Sequence, residues 1–182
     1  MADLTELSKA REWIGIKTEA DDMLLARLIK AASAFIANFL SRTIFSASYV
    51  EYRDGAGGDS MSCLNYPVTA VSGVEINGVA IPLATGTVSY GYQFSDKQII
   101  LRGYKFTRGK RNVKLSYTAG YATVPLDLEQ ACLELVAYKY RSRDWVGQST
   151  KIVGAENVTF VTKEIPDNAL GTLKRWSRVS PI

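Results

Sequence analysis

Ala20-Asp21-Asp22-Met23-Leu24-Leu25-Ala26-Arg27-Leu28-Ile29-Lys30-Ala31-Ala32-Ser33-Ala34-Phe35-Ile36-Ala37-Asn38-Phe39-Leu40-Ser41 is the stretch that decides the fold class. Leu24, Leu25, Leu28, Ile29, Ala32, Phe35, Ile36, Phe39 and Leu40 recur at i, i+3, i+4 and i+7, which predicts one helix with a wide apolar stripe. At ~1.5 Å per residue the run is roughly 30 Å long. Ala31, Ala32, Ser33 and Ala34 are small enough for a partner helix to approach closely.

Upstream, Leu4, Leu7, Ala10 and Trp13/Ile14 predict a shorter helix opened by an Asp3/Glu6 capping box and stopped at Gly15. Thr18, with Asp21 three residues later, is the expected cap of the long helix. A short helix, a Gly turn and a longer helix also suggest a DNA-reading helix-turn-helix. The second helix is too long and too apolar to show polar groups to base edges.

Downstream the period changes to that of strands, from Phe45 to Tyr117. Tyr49–Arg53, Gln98–Leu101 and Asn112–Tyr117 read as strands. Val68–Ile76, Asn77-Gly78 and Val79–Ile81 read as a hairpin, because Asn-Gly suits a type I′ turn. The loop Gly55-Ala56-Gly57-Gly58-Asp59 lacks the Gly-Lys-Ser/Thr ending of a phosphate cradle. Pro125 is expected at the first position of a third helix, whose inner face would be Leu128, Ala131, Cys132, Leu135, Val136 and Tyr138. Tyr140, Arg141, Arg143 and Trp145 close that helix, with basic groups at the negative end of its dipole. Gly147–Asn157 is expected to be a loop or arm, Val158–Thr162 a short strand, and Ala169–Ser177 a last helix.

The predicted class is therefore α+β: a small bundle of three main helices and a short C-terminal helix, with an inserted antiparallel sheet or small barrel. The expected divisions are 1–44 (helix pair), 45–118 (β insertion), 119–146 (third helix) and 147–182 (arm and C-terminal segment).

The 182 residues contain no histidine, which removes the usual general base, the usual zinc ligand and any Ser-His or Cys-His nucleophile. Cys63 and Cys132 have no metal-ligand spacing and imply no disulfide framework. No cofactor or metal is expected. The acidic start, Met1-Ala2-Asp3-Leu4-Thr5-Glu6, is unlike a signal peptide, and no apolar run approaches the ~18–20 residues of a membrane span. A cytoplasm, or a particle assembled there, is the expected location, with no membrane partner. The acidic pairs Asp21/Asp22 and Asp127/Glu129 sit at predicted helix starts, where dipole and capping roles explain them.

A net charge of +4 is compatible with nucleic acid or an acidic protein. The most basic stretch holds Arg102, Lys105, Arg108, Lys110, Arg111 and Lys114, interleaved with Tyr104 and Phe106. It reads as a solvated hairpin tip or partner contact, with DNA binding as the alternative. Near the C-terminus, Leu170, Leu173 and Trp176 share one helical face beside Lys174, Arg175 and Arg178. They pack on their own domain or anchor another protein, and the sequence does not choose.

Three segments carry a family resemblance. Leu7–Ile16 followed by Asp21–Ser33 is similar to the start of the head-to-tail connector (adaptor) proteins of tailed bacteriophages. Tyr117-Thr118-Ala119-Gly120-Tyr121-Ala122-Thr123-Val124-Pro125-Leu126-Asp127-Leu128-Glu129-Gln130-Ala131 resembles that family's junction into its third helix. Tyr140-Arg141-Ser142-Arg143 and the ending Arg178-Val179-Ser180-Pro181-Ile182 are also similar to it. The middle β region has no such likeness.

The resemblance implies a structural virion protein and not an enzyme. It implies a homo-oligomeric ring, commonly a dodecamer, under the portal protein, continuing the DNA channel and receiving a stopper or tail-completion protein. Genomic DNA would pass through the ring without sequence-specific binding. In such adaptors the C-terminal segment reaches the portal, which here implies Leu170, Leu173, Lys174, Trp176, Arg178 and Ile182.

Overall fold

The computed structural model describes residues 2–86, 88–143, 150–153, 156–159 and 165–177. The chain divides into two compact units, Met1–Arg42 with Val124–Ile182, and Thr43–Thr123.

The first unit is helical. It contains α1 (Leu7–Ile14), α2 (Asp22–Leu40), α3 (Leu126–Ser142) and α4 (Asp167–Trp176). Helix α3 packs against the other three. Its Leu128, Ala131, Cys132, Leu133, Leu135, Val136 and Ala137 are buried, as are Leu25, Ile29, Ala32, Ser33, Ile36 and Leu40 of α2. The small residues of α2 allow this approach: the Ser33 hydroxyl lies 3.9 Å from Cys132 Sγ and accepts the Leu4 N–H at 2.9 Å.

By length and composition α2 could cross a bilayer, contrary to the sequence expectation that no such stretch exists. In this fold one face of α2 forms part of the unit's core, while Arg27 and Lys30 lie on the other side. A wide apolar stripe on a core helix satisfies the same composition test as a span.

Several predicted helix ends are corrected. Helix α1 begins at Leu7 with Glu6 as N-cap and no side-chain cap bond, so the Asp3/Glu6 box does not form. Thr18 does not cap α2 either; Asp21 holds that position, again without a cap bond. Pro125 is the N-cap of α3, one residue before the predicted place. Gly15 does stop α1: at φ 85° its N–H reaches back to the Arg11 and Glu12 carbonyls. The predicted last helix, Ala169–Ser177, runs from Asp167 to Trp176. The Gly147–Asn157 stretch, expected to be a loop or arm, holds strand β8 (Thr150–Val153) and the start of β9 (Glu156–Thr159), which pair with each other. Residues 160–162 of the predicted strand, Trp145 and the last five residues lie outside the described residues.

The second unit holds two antiparallel sheets. One has the order β1-β7-β3-β4, the other β2-β6-β5. The strands are β1 (Ala47–Gly55), β2 (Ser60–Ser62), β3 (Val68–Ile76), β4 (Val79–Ile81), β5 (Gly91–Phe94), β6 (Gln98–Arg102) and β7 (Gly109–Ala119). The predicted hairpin is β3–β4, with Asn77 at φ 52° and Gly78 at φ 79°, both in the left-handed region that a type I′ turn requires. Strand β7 is central: Val113, Leu115, Tyr117 and Ala119 are buried on one face between β1 and β3. With Ile99, Leu101, Phe106 and Val74 they form the unit's core.

Two tyrosine hydroxyls in this core need partners: Tyr92 Oη donates to the Val71 carbonyl at 3.3 Å, and the other belongs to Tyr117. Its Oη donates to Glu51 and accepts the Asn65 N–H at 3.1 Å. Burial first, and then the bond to Glu51, push its pKa up. Gly120 turns the chain out of β7 at φ 112°; a Cβ there would lie 2.5 Å from the Phe45 carbonyl oxygen. Only glycine meets both conditions.

Candidate functional site

The C-terminal candidates lie on α4. Pro166 precedes it, Asp167 lies in its first turn, and Lys174 and Arg175 lie in its last, in accord with the helix dipole. Ala169 and Leu173 are fully buried in the helical unit. Leu170 and Trp176 are half-buried, and Lys174 is exposed. Leu173 is thus a core residue of its own unit, and its side chain is not on the outer face of α4. Arg178 and Ile182 lie outside the described residues.

Trp176 is fastened at two points. Its indole N–H donates to Asp127 Oδ2 at 2.6 Å, and the Arg42 guanidinium lies 5.3 Å from the ring centroid. Both are charge-assisted contacts to the end of a helix that is otherwise held by Ala169 and Leu173. No local sequence signal marks Asp127 or Arg42 for this role, because Asp127 is 49 positions from its partner. Beside α4 runs an open groove of about 440 Å³, lined by Trp13, Glu134, Ala137, Tyr138, Arg141, Pro166 and Asn168.

The acidic residues at helix starts serve mainly as clamps between helices. Asp21 accepts from Tyr140 Oη and lies 3.6 Å from Arg143. Asp22 pairs with Arg11 at 3.4 Å. Glu129 takes the Lys9 ammonium at 2.7 Å, and this bond raises the Lys9 pKa. Among the described residues no group of three or more His, Cys, Asp or Glu could hold a metal ion.

The basic stretch lies in the β unit. Arg102 ends β6, Lys105 and Arg108 lie in the following loop, and Lys110 and Arg111 open β7; all five are exposed. Folding brings acids to part of it. Lys110 Nζ is 3.2 Å from Asp54, and Lys114 Nζ is 2.8 Å from Glu75. The Arg111 N–H donates to Asp54 at 2.6 Å, and its guanidinium lies 5.7 Å from the Tyr52 ring centroid. The Arg111 N–H, then Lys110, lower the Asp54 pKa. Arg102, Lys105 and Arg108 have no ion pair among the described residues. The stretch is therefore two groups, one neutralised by sheet carboxylates and one open to solvent.

Cys63 and Cys132 are buried free thiols, with pKa values pushed up to about 11, chiefly by burial. Neither has the electropositive, accessible setting of a reactive cysteine.

Known structures share this architecture. A chain from the neck of an empty gene transfer agent particle, computed with C6 symmetry, matches with a TM-score of 0.61 and 20% identity, covering 98% of this chain and 92% of that one. A chain from the virion of the native gene transfer agent matches at 0.60 and 21%, with 98% and 92% covered. One from the native particle's neck, computed with C12 symmetry, matches at 0.58 and 20%, with 100% and 96% covered. At these identities the likeness concerns the fold. No curated protein matches the chain. The model of the head completion protein family matches residues 3–179, nearly the whole sequence and both units, so the chain belongs to the head completion protein family.

Proposed function

We propose that this protein is a non-catalytic structural subunit of the virion neck, assembled in the host cytoplasm. Identical copies form a ring, a dodecamer, that binds the portal protein. The ring extends the DNA channel and gives a stopper or tail-completion protein its docking surface. The observation that carries this reading is the family match over residues 3–179. The shared fold of gene transfer agent neck chains, one from a neck computed with C12 symmetry, supports the location and the ring size. Such a ring needs heterologous contacts, each subunit offering one surface to the next and a different one to the previous.

The portal contact is assigned to the C-terminal segment. Leu173, Leu170 and Trp176 would hold α4 in place, while Lys174, with Arg178 and Ile182 beyond it, would meet the portal. The test is electron microscopy of the protein mixed with portal-bearing, DNA-filled heads, where an added ring at one vertex is expected. Deleting residues after Asn168, or substituting Lys174→Glu, should reduce binding. Undiminished binding by both variants would sink the assignment.

A second reading is DNA binding through Arg102, Lys105 and Arg108, favoured by their exposure and lack of carboxylate partners among the described residues. Three phosphate contacts predict a log K against log salt slope of about −3. A channel through which the genome must slide should bind free DNA weakly, so a salt titration separates the two readings.

A further inference from the structure

Strand β1 forms one edge of its sheet and, among the described residues, is hydrogen-bonded on one side only, to β7. Pairing runs in unbroken register from Ala47 to Arg53, and the only irregularity comes between Arg53 and Gly55. No backbone hydrogen bond ties Ala47–Asp54 to any described residue other than those of β7. The outer side chains are open: Val50 is 59% and Tyr52 53% exposed, and Ser48 is exposed as well. Monomeric proteins usually guard such an edge with proline, lysine, an early bulge or a very short strand. Ala47–Arg53 contains no proline or lysine. Its charges, Glu51 and Arg53, lie on the other face, bonded to each other, with Glu51 also accepting from Tyr117 and Leu64.

The complementary feature is in the helical unit. Strands β8 and β9 form a two-stranded sheet, from Thr150↔Thr159 to Val153↔Glu156, and among the described residues each has only the other as strand partner. A lone two-stranded ribbon is marginal in water and gains stability from a third strand. Among the described residues, one edge lacks a neighbour and one ribbon lacks a sheet.

We propose that the β8–β9 ribbon of one copy adds to the free edge of β1 in the next copy, making a continuous six-stranded sheet across each subunit joint. This rests on the ring reading above. Backbone N–H and C=O groups supply the contact, as in other cases of strand addition. Because ribbon and edge are different surfaces, the contact is heterologous and can propagate around a ring. Pairing of β1 with β1 would instead stop at a two-fold dimer.

The test uses the full chain assembled on portal-bearing heads. Directly opposed residues in paired strands lie ~4.5–5.5 Å apart at Cα, within disulfide reach. Cys63 and Cys132 are buried, so the introduced cysteines dominate oxidation. Ser48→Cys, Val50→Cys and Tyr52→Cys would each be combined with Lys151→Cys or with Asn157→Cys. At least one pair should yield a denaturing-gel ladder running past the dimer, which the single variants do not produce. In unsubstituted protein, β1 amides facing away from β7 should exchange at least about tenfold more slowly in the ring than in the free chain. Rings visible at the vertex with neither ladder nor slowed exchange would overturn the strand addition and leave the ring standing. Crosslinking that stops at dimers would also overturn it. Absence of any ring would overturn both.

Discussion

Leu173→Ala tests whether α4 is held by its own unit. Leu173 is fully buried, and its substitution removes three carbons from the helical core. At ~0.8 kcal/mol per buried methylene, the lost transfer free energy is about 2.4 kcal/mol. If about 70 Å³ stays unfilled, the cavity adds about 1.7 kcal/mol at ~24 cal/mol per Å³. The total is about 4 kcal/mol, large beside the contact that Trp176 makes with Asp127 at the helix end. The loss should appear first as local undocking of α4, because α1, α2 and α3 keep their mutual contacts. Hydrogen exchange of the α4 amides should quicken by roughly a thousandfold, or until α4 is fully undocked, since each 1.36 kcal/mol is tenfold. Exchange in the β unit should not change. Leu170→Ala, at a half-buried position of the same helix, should have a much smaller effect. An effect of Leu173→Ala below about 1 kcal/mol would refute the premise that burial in its own unit holds α4.

Three further outcomes are expected. Gly120→Ala should destabilise the β unit by about 3 kcal/mol or more in urea unfolding, combining left-handed strain with a clash against the Phe45 carbonyl; a change within 0.5 kcal/mol, about the scatter of surface substitutions, would contradict the backbone geometry. Asp54 has its pKa lowered in the folded state, so the stability it contributes is present above the ordinary value of 3.8 and is lost as pH falls through the folded value. Asp54→Asn should therefore flatten the acid limb of the stability profile below that pH while leaving the neutral-to-alkaline limb parallel, and an unchanged acid limb would count against it. Cys63 and Cys132 should resist maleimide at pH 8 in the folded chain, since a rise from 9.0 to about 11 leaves about a hundredfold less thiolate even before access is considered; labelling at the rate of the unfolded chain would show that the thiols are not buried.

Much of this fold is visible in local patterns because the physics that sets it is local. The 3.6-residue stripe from Leu24 to Leu40 follows from helix geometry alone, and six positions of α2 are buried. Asn77-Gly78 demands positive φ at two successive residues, so the β3–β4 hairpin needs no information from elsewhere. Leu128, Ala131, Cys132, Leu135 and Val136 mark the buried face of α3 for the same reason. The missing histidine and the family likeness of the helical segments also stand in the sequence itself.

What the sequence could not settle are choices made by partners distant along the chain. Asp21 and Asp127 have the composition of caps, yet Tyr140 and Trp176 take them, 119 and 49 positions away. The run from Arg102 to Lys114 reads as one basic patch, but the strand pairing places Asp54 beside Lys110 and Glu75 beside Lys114, leaving Arg102, Lys105 and Arg108 to solvent. Leu173 could equally have faced a partner protein, since its helical period is the same in either case. Helical period shows which residues share a face. What that face meets depends on the surface left uncovered by the rest of the unit, and for Leu173 only the packed helical bundle decides it.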